Sequence, residues 1–231
     1  MDENKIFKKN MAALEQKYPE LAIEIKNETI DTDRYKTTKS HNGEPNVMIS
    51  RESDVLMLYD NDNPFNYCKA YFEELNIKYA PIVVFLGFGL GYHLYMFSKI
   101  YANGLGSKKI LIFEEDISLF RLALEMVDME EFIKHPDIYF FIGNEPEKSF
   151  FKIRREILAM DNHIYMRSFK IVPLPSHISL NPEYYTKVVN TVKNASCQMM
   201  ITAGNDPMDS LLGMENILGN LENIVSNPGI N

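Results

Sequence analysis

The sequence predicts an α/β protein built on a Rossmann-like (methyltransferase-like) parallel sheet flanked by helices. Three observations predict it. Ile82, Val83, Val84, Phe85 and Leu86 form an unbroken apolar run rich in β-branched residues, the pattern of a strand buried on both faces. A turn of Gly87, Phe88, Gly89, Leu90 and Gly91 follows at once and leads into helical spacing. The strand-then-helix unit recurs over 109–127 and 138–160, the alternation expected of βαβ crossovers.

Ahead of this core, Ile6, Met11 and Leu14, with Tyr18 beyond, mark a loose helical stripe. Pro19 interrupts it, and Leu21, Ile23 and Ile25 then alternate as in a short strand. Residues 31–46 are polar, with His41, Asn42, Gly43, Glu44 and Pro45 as a turn signal. Val47 with Ile49, then Val55, Met57 and Tyr59, predict short strands beside it. Residues 1–62 are therefore expected to form a small N-terminal α/β cap.

A Rossmann-like domain is expected over 63–180. Asn63 and Pro64 open a helix with Tyr67, Ala70, Tyr71 and Leu75 inward. After the strand at 82–86 and the glycine turn, a helix over 91–102 ends at Asn103, Gly104, Leu105 and Gly106, good C-cap chemistry. The second strand, 109–113, runs into Glu114, Glu115 and Asp116. A helix at 117–127 turns Phe120, Leu124 and Val127 inward. The third strand, 138–142, closes on Gly143 and Asn144, and a helix at 150–160 and a fourth strand at 169–172 follow. Beyond Pro173 and Pro175, residues 181–231 are expected to be C-terminal helices, divided near 204–207. The first turns Tyr185, Val188, Val192 and Met199 inward. The second carries Leu211, Met214, Leu218, Leu221 and Val225.

Composition narrows the function classes. The chain has 231 residues, 45% hydrophobic and 24% charged, enough for one large domain with a sizeable core. Its 24 basic against 32 acidic side chains give a net charge of −8 and a field that repels phosphate backbones and anionic membranes. Neither nucleic acid nor membrane is an expected partner. The only cysteines, Cys68 and Cys197, lack a CxxC spacing and a nearby histidine cluster, so no disulfide framework or zinc site is expected and both are read as small buried thiols. The N-terminus has no apolar signal-peptide core, and the apolar run at 82–86 is far shorter than the ~20 residues that span a bilayer. A cytoplasmic location is expected.

The glycine turn is the chemical centre of this reading. Gly87 permits a sharp turn, Gly89 lets a ligand approach the backbone, and Gly91 lets helix pack on strand. The helix start offers free N–H groups to an anion. His93 lies in the first helical turn, placed to donate to a phosphate or sugar. Glu114, at the end of the next strand, is placed to accept ribose hydroxyls, and Asn144, after the third, to border a base. These six are the expected ligand-binding residues, with packing alone as the competing reading of the turn. Two departures stand against a cofactor enzyme: Tyr92 makes the pattern GxGxG and not GxGxxG, and Phe85 occupies the position where methyltransferases commonly carry an acid. His41, His135, His163 and His177 have no ligand-like spacing and are read as solvated loop residues. The Glu114, Glu115, Asp116 cluster is read as a strand end facing water. No catalytic residue, metal ligand or cofactor is assigned.

The string from Val84 through Leu94 resembles the GxGxGYHL segment of the motility associated factor (Maf) family, the flagellin glycosyltransferases. Ile112, Phe113, Glu114, Glu115 and Asp116, followed by Phe120, Arg121, Leu122, Ala123 and Leu124, look like a second family segment. Leu58, Tyr59 and Asp60 with Asn63 and Pro64 look like a third, and residues 223–230 resemble the approach to the family's catalytic domain. The resemblance implies enzymes that move nonulosonic acids from CMP-activated donors onto flagellin Ser or Thr, through a central domain opening with a Gly-Pro-Ser motif. That motif is absent here, so the resemblance implies an N-terminal domain alone, an expressed fragment or a shortened homologue, to which no transferase residue carries over. Its implied partners are flagellin and the missing catalytic domain, with a nucleotide-like small molecule and a homo-oligomer as further expectations. An S-adenosylmethionine-dependent methyltransferase or a nucleotide-binding module is the alternative.

Overall fold

In the computed structural model, the structure describes residues 3–51, 54–75, 77, 80–101, 109–157, 169–203 and 207–226. The chain opens with helices α1 (Glu3–Lys17) and α2 (Pro19–Asn27) and an antiparallel meander of β1 (Tyr35–Lys39), β2 (Pro45–Ser50) and β3 (Val55–Met57). Helix α3 (Pro64–Leu75) leads to β4 (Ile82–Leu86), α4 (Tyr92–Tyr101), β5 (Lys109–Glu114), α5 (Ile117–Met126), α6 (Glu130–Lys134) and β6 (Ile138–Ile142). A 3-10 turn (Pro146–Ser149), α7 (Phe150–Lys152) and a π-turn (Ile153–Ile157) follow. Then come β7 (Phe169–Pro173), α8 (Pro175–Leu180), α9 (Pro182–Ala203), α10 (Pro207–Gly219) and α11 (Leu221–Ser226).

The four long-range strands form a parallel sheet in the order β6-β5-β4-β7. Every residue of β4 is buried, as its apolar run requires. Successive side chains point to opposite faces: Val83 and Phe85 meet the α1, α3, α4 and α5 side, while Ile82, Val84 and Leu86 meet α9. The result is a helix–sheet–helix sandwich with two cores. The chain builds outward from β4 through β5 to β6, then returns to the other side of β4 for β7. Strand order therefore reverses between β4 and β7, and a parallel sheet opens a crevice at the carboxyl ends of that pair.

The edge strand β6 is covered by the α1–α2 corner. The Lys17 ammonium donates to the Ile138 carbonyl at 2.8 Å, and the Tyr18 hydroxyl accepts from the Phe140 amide at 3.3 Å. Unpaired strand edges invite foreign strands, and these contacts occupy this one. Burial and the neighbouring Lys152 and Lys109 outweigh Asp137 and bring the Lys17 ammonium down to about 8.

Several expectations require correction. Leu21, Ile23 and Ile25 lie in helix α2, not in a strand. Pro19 takes the first helical position, where its missing N–H costs nothing, and Ala22 and Ile25 bury one face while Ile23 stands 61% exposed. In so short a segment, period two and an i, i+3 pair fit the same residues. The polar stretch 31–46 contains β1, whose Thr37 and Thr38 pair with Val47 and Asn46. Cys68 is buried, whereas Cys197 is exposed on α9. The predicted helix at 150–160 is a 3-10, α and π succession as far as Ile157. The C-cap at 103–106, His163, residues 204–206 and 227–231 lie outside the described residues. α8, between Pro175 and Leu180, was not anticipated.

Asn10 ties the first helix to the domain. Fully buried, its Nδ2 donates to the carbonyls of Leu124 and Val127 at 2.8 and 2.7 Å, and its Oδ1 accepts from the Met129 amide at 2.8 Å. The two carbonyls belong to the end of α5, where helical carbonyls lack partners of their own. Asn10→Leu should therefore cost about 2 kcal/mol or more in urea unfolding, since it strands three buried backbone groups in an otherwise accommodating apolar site.

Candidate functional site

The glycine turn sits where the sequence places it, between β4 and α4, at the carboxyl end of the central strand. Gly87, Gly89 and Gly91 all have positive φ, at 106°, 60° and 77°, a conformation that side chains with a Cβ rarely adopt. The turn is buried throughout. Its peptide groups face inward, so each N–H must find an acceptor inside the protein or on a ligand.

The protein supplies them all. The Gly87 amide donates to the Phe113 carbonyl at 2.8 Å, and that of Gly91 to the Phe88 carbonyl at 3.0 Å. The amides of Phe88 and Gly89 donate to Glu114 Oε2 at 2.8 and 3.3 Å. The Leu90 amide donates to the Tyr59 hydroxyl at 3.0 Å. The phenol oxygen thus stands at the N-terminus of α4, where a phosphate oxygen would stand in a nucleotide-binding fold. Burial raises the phenol well above its ordinary range, so it stays neutral.

Glu114 does not face water. It is 1% exposed, and its other oxygen accepts from the Asp116 amide at 3.1 Å. Burial alone would raise this carboxyl. The imidazole of His177, with Nε2 2.9 Å from Oε2, and the amides of Phe88 and Asp116 outweigh it and leave the carboxyl below its ordinary value. The imidazole contact is close but lacks the geometry of a directed hydrogen bond.

His177 corrects the expectation of a solvated loop residue: it is 1% exposed in the short helix α8. A Cβ on Gly87 would lie 2.3 Å from its ring, and one on Gly89 would lie 2.6 Å from the Tyr59 hydroxyl. Close backbone approach is therefore what Gly87 and Gly89 provide, and here the approaching groups are side chains of the same chain. Gly91 makes room for Met129 in the same way. α8 follows β7, across the strand-order reversal from β4, which is why its first turn reaches the crevice.

Tyr59 is held in turn by the small sheet. Buried Asn46 accepts from the Tyr59 amide at 3.2 Å and donates to its carbonyl at 3.1 Å. Tyr92 donates to the Pro45 carbonyl at 3.0 Å. The N-terminal meander is thereby pinned onto the glycine turn.

The remaining expected residues part company. His93 is 2% exposed and turns into the core, its ring 5.5 Å from that of Tyr59 and 5.3 Å from that of Tyr71, with neither nitrogen hydrogen-bonded. Burial, with the nearby His177, lowers it to about 3. Asn144 lies on the surface beyond β6, where its carbonyl accepts from the Tyr184 hydroxyl at 3.1 Å. It lines a cavity of about 650 Å³ with Glu115, Glu145, Glu147 and Asn181. A second cavity of about 460 Å³, sharing Glu115 and Asn181, reaches Glu114, His177 and Arg34. In the cluster after β5, Glu114 is buried, while Glu115 and Asp116 stay partly open to solvent. Asp116 caps α5 through the Leu119 amide at 3.1 Å and accepts the Tyr35 hydroxyl. Among the described residues, no group of His, Cys, Asp or Glu is arranged to hold a metal ion.

Sequence reasoning passed over His177 and Tyr59. Pro175 at a helix start just after the fourth strand was the available signal for α8. Tyr59 sat in a segment already noted for its family resemblance.

Residues 67–169, which contain β4, the turn, β5 and β6, match the family described as the glycosyltransferase Maf N-terminal domain. Over those residues the chain resembles a Maf N-terminal domain. Over 84% of its length, its fold is similar to the structure of MAf glycosyltransferase from Magnetospirillum magneticum AMB-1, with a TM-score of 0.58 at 12% identity. The chain spans 36% of that protein's length, and the likeness is one of fold. No curated protein matches the chain. In this chain the turn is closed by the protein's own groups.

Two measurements probe that closure. Glu114→Ala leaves the buried amides of Phe88, Gly89 and Asp116 without their acceptor, and should cost about 3 kcal/mol or more in denaturant unfolding, against near neutrality for a residue lining an open crevice. His93 binds a proton in the unfolded chain below its ordinary value of 6.5 but in the folded chain only below about 3. Stability should therefore fall by about 1.4 kcal/mol per pH unit as pH drops between those values, and His93→Phe should remove that part of the slope.

Proposed function

We propose that this chain is a non-catalytic accessory domain of a flagellin glycosyltransferase of the Maf type. The whole enzyme would transfer a nonulosonic acid to flagellin Ser or Thr, in the cytoplasm. The domain's part is to scaffold and position a catalytic domain, its flagellin acceptor, or a second copy. The observation that carries this reading is the internal satisfaction of the glycine turn. With Glu114 and Tyr59 on its amides and His177 against Gly87, the turn does for packing what a cofactor fold does for phosphate. The family match over residues 67–169 supports the glycosyltransferase context. Among the described residues, no helix is long and apolar enough to cross a membrane.

A second reading rests on the two cavities beside the turn. A small molecule seated there would touch Glu114 and Asn144, two of the six expected ligand residues, and would leave Gly87, Gly89, Gly91 and His93 as the buried frame behind them. The rim of Glu115, Glu145, Glu147 and Glu183, with Lys187 paired to Glu183 as its one cation, is net acidic and disfavours phosphates and carboxylates, so CMP-sugars and other nucleotides are poor candidates. Calorimetric titration with S-adenosylmethionine, CMP and a CMP-activated nonulosonic acid tests the two readings together. The accessory reading expects no saturable heat from any of them. Saturable S-adenosylmethionine binding that Asn144→Ala weakens at least tenfold would favour the second reading and sink the first.

A further inference from the structure

Three lysines gather where the edge strand β6 meets the α1–α2 corner. The Lys17 Nζ stands 5.4 Å from the centre of the Tyr18 ring and 5.9 Å from that of Tyr139. Lys152, at the end of α7, stands 5.5 Å from the same Tyr18 ring and 5.5 Å from that of Phe141. Lys109 stands 5.3 Å from the Tyr139 ring. Of the three, Lys109 alone has a carboxylate in ion-pair contact among the described residues: Asp137, at 2.6 Å.

Lys17 donates instead to the carbonyls of His135 and Ile138, neutral acceptors that leave its charge without a counterion. The other groups around it supply none. Asp137 is engaged by Lys109, and the His135 ring accepts from the Asp137 amide at 3.1 Å. Tyr18 and Tyr139 present their rings. Glu20 and Glu24 line the same cavity from α2, but both are exposed and neither pairs with Lys17. A half-buried ammonium so placed, with Lys152 and Lys109 beside it, releases its proton early, which is why Lys17 comes down to about 8. The neutral amine is a nucleophile. It is not sealed away, since Lys17, Tyr18, Asn144 and Lys152 line a cavity of about 250 Å³.

We propose that Lys17 is a covalent modification site, acylated by small acyl phosphates that enter this cavity. The amine lone pair attacks the acyl carbon, the bond from that carbon to the bridging oxygen breaks, and phosphate leaves with the electron pair. The proton shed by the nitrogen passes to solvent. Lys152, the other cation at the cavity without a carboxylate, is placed to hold the phosphate as it leaves. The product amide removes one charge from a crowded trio of lysines. It keeps one N–H, enough for the Ile138 carbonyl, while the exposed His135 carbonyl turns to water. The site stands whether or not the transferase reading holds.

Treatment of the folded chain with acetyl phosphate, read by peptide mass spectrometry, tests this. At pH 8, Lys17 should acetylate about tenfold or more faster than the exposed Lys36 and Lys39. Its rate should level off above about pH 8, while theirs keep climbing. In urea the preference should vanish. Lys152→Met, which keeps an apolar stem over Tyr18 and Phe141, should move the Lys17 midpoint to higher pH and slow its acetylation at pH 8 several-fold. Lys17→Arg, which can still donate to both carbonyls, should keep the thermal midpoint and lose only that label. Labelling of Lys17 no faster than of Lys36 would overturn the proposal. So would a preference that survives in urea, or one that Lys152→Met leaves unchanged.

Discussion

The arrangement of this domain depends on one buried carboxylate. A turn with three left-handed glycines projects its amides into the interior, and those amides need acceptors. A nucleotide-binding fold leaves that requirement to a ligand. Here Glu114 meets it from the neighbouring strand, taking two turn amides and the amide of Asp116. A carboxylate removed from water is costly unless it is both hydrogen-bonded and charge-compensated. The His177 ring stands 2.9 Å from it on the other side. The turn, β5 and α8 are thus mutually required.

The same requirement recruits the N-terminal meander. The Leu90 amide lies beyond the reach of Glu114 and accepts help from Tyr59 instead. Tyr59 keeps its position through Asn46, whose side-chain amide bonds both backbone groups of the tyrosine. A three-stranded sheet of short strands would be marginal alone, and here its last anchored residue is built into the central crevice. The interior therefore crosses from the small sheet to the large one without a polar gap. His93 is an exception, a histidine among aromatic rings with no hydrogen bond on either nitrogen, which loads the site against protonation.

The parallel sheet was legible because its signals are local and redundant. Strand β4 is a five-residue apolar run, and the turn behind it is three glycines at fixed spacing; each predicts the other. Glu114 was legible as a residue facing the turn, since strand ends at the carboxyl edge of a parallel sheet converge there. What it binds was not. The acceptor pattern of the crevice depends on Tyr59, distant in the chain, and on His177, which reaches the turn only after β7 crosses to the far side of β4. Neither contact leaves a trace in periodicity. Helix α2 was lost for the opposite reason: Leu21 and Ile25 fit both a two-residue alternation and the i, i+4 face of a helix, and only the partner surface chooses between them.

A contrast remains between the interior and the C-terminal helices. Within the sheet domain, even the amides of a strained turn are supplied by the protein, and the crevice that its topology opens is filled. Along α10 and α11, by comparison, Leu218 and Val225 stand 68 and 76% exposed. Such apolar surface is ordinarily covered in soluble proteins. The turn is thus closed from within, while the C-terminal helices keep apolar side chains open to solvent. The acidic rims of the two cavities point the same way, because they repel the phosphates and carboxylates that activated sugars carry. On this view the Rossmann-like core is a rigid mount. Its turn is held by hydrogen-bonded joints made by Glu114 and Tyr59.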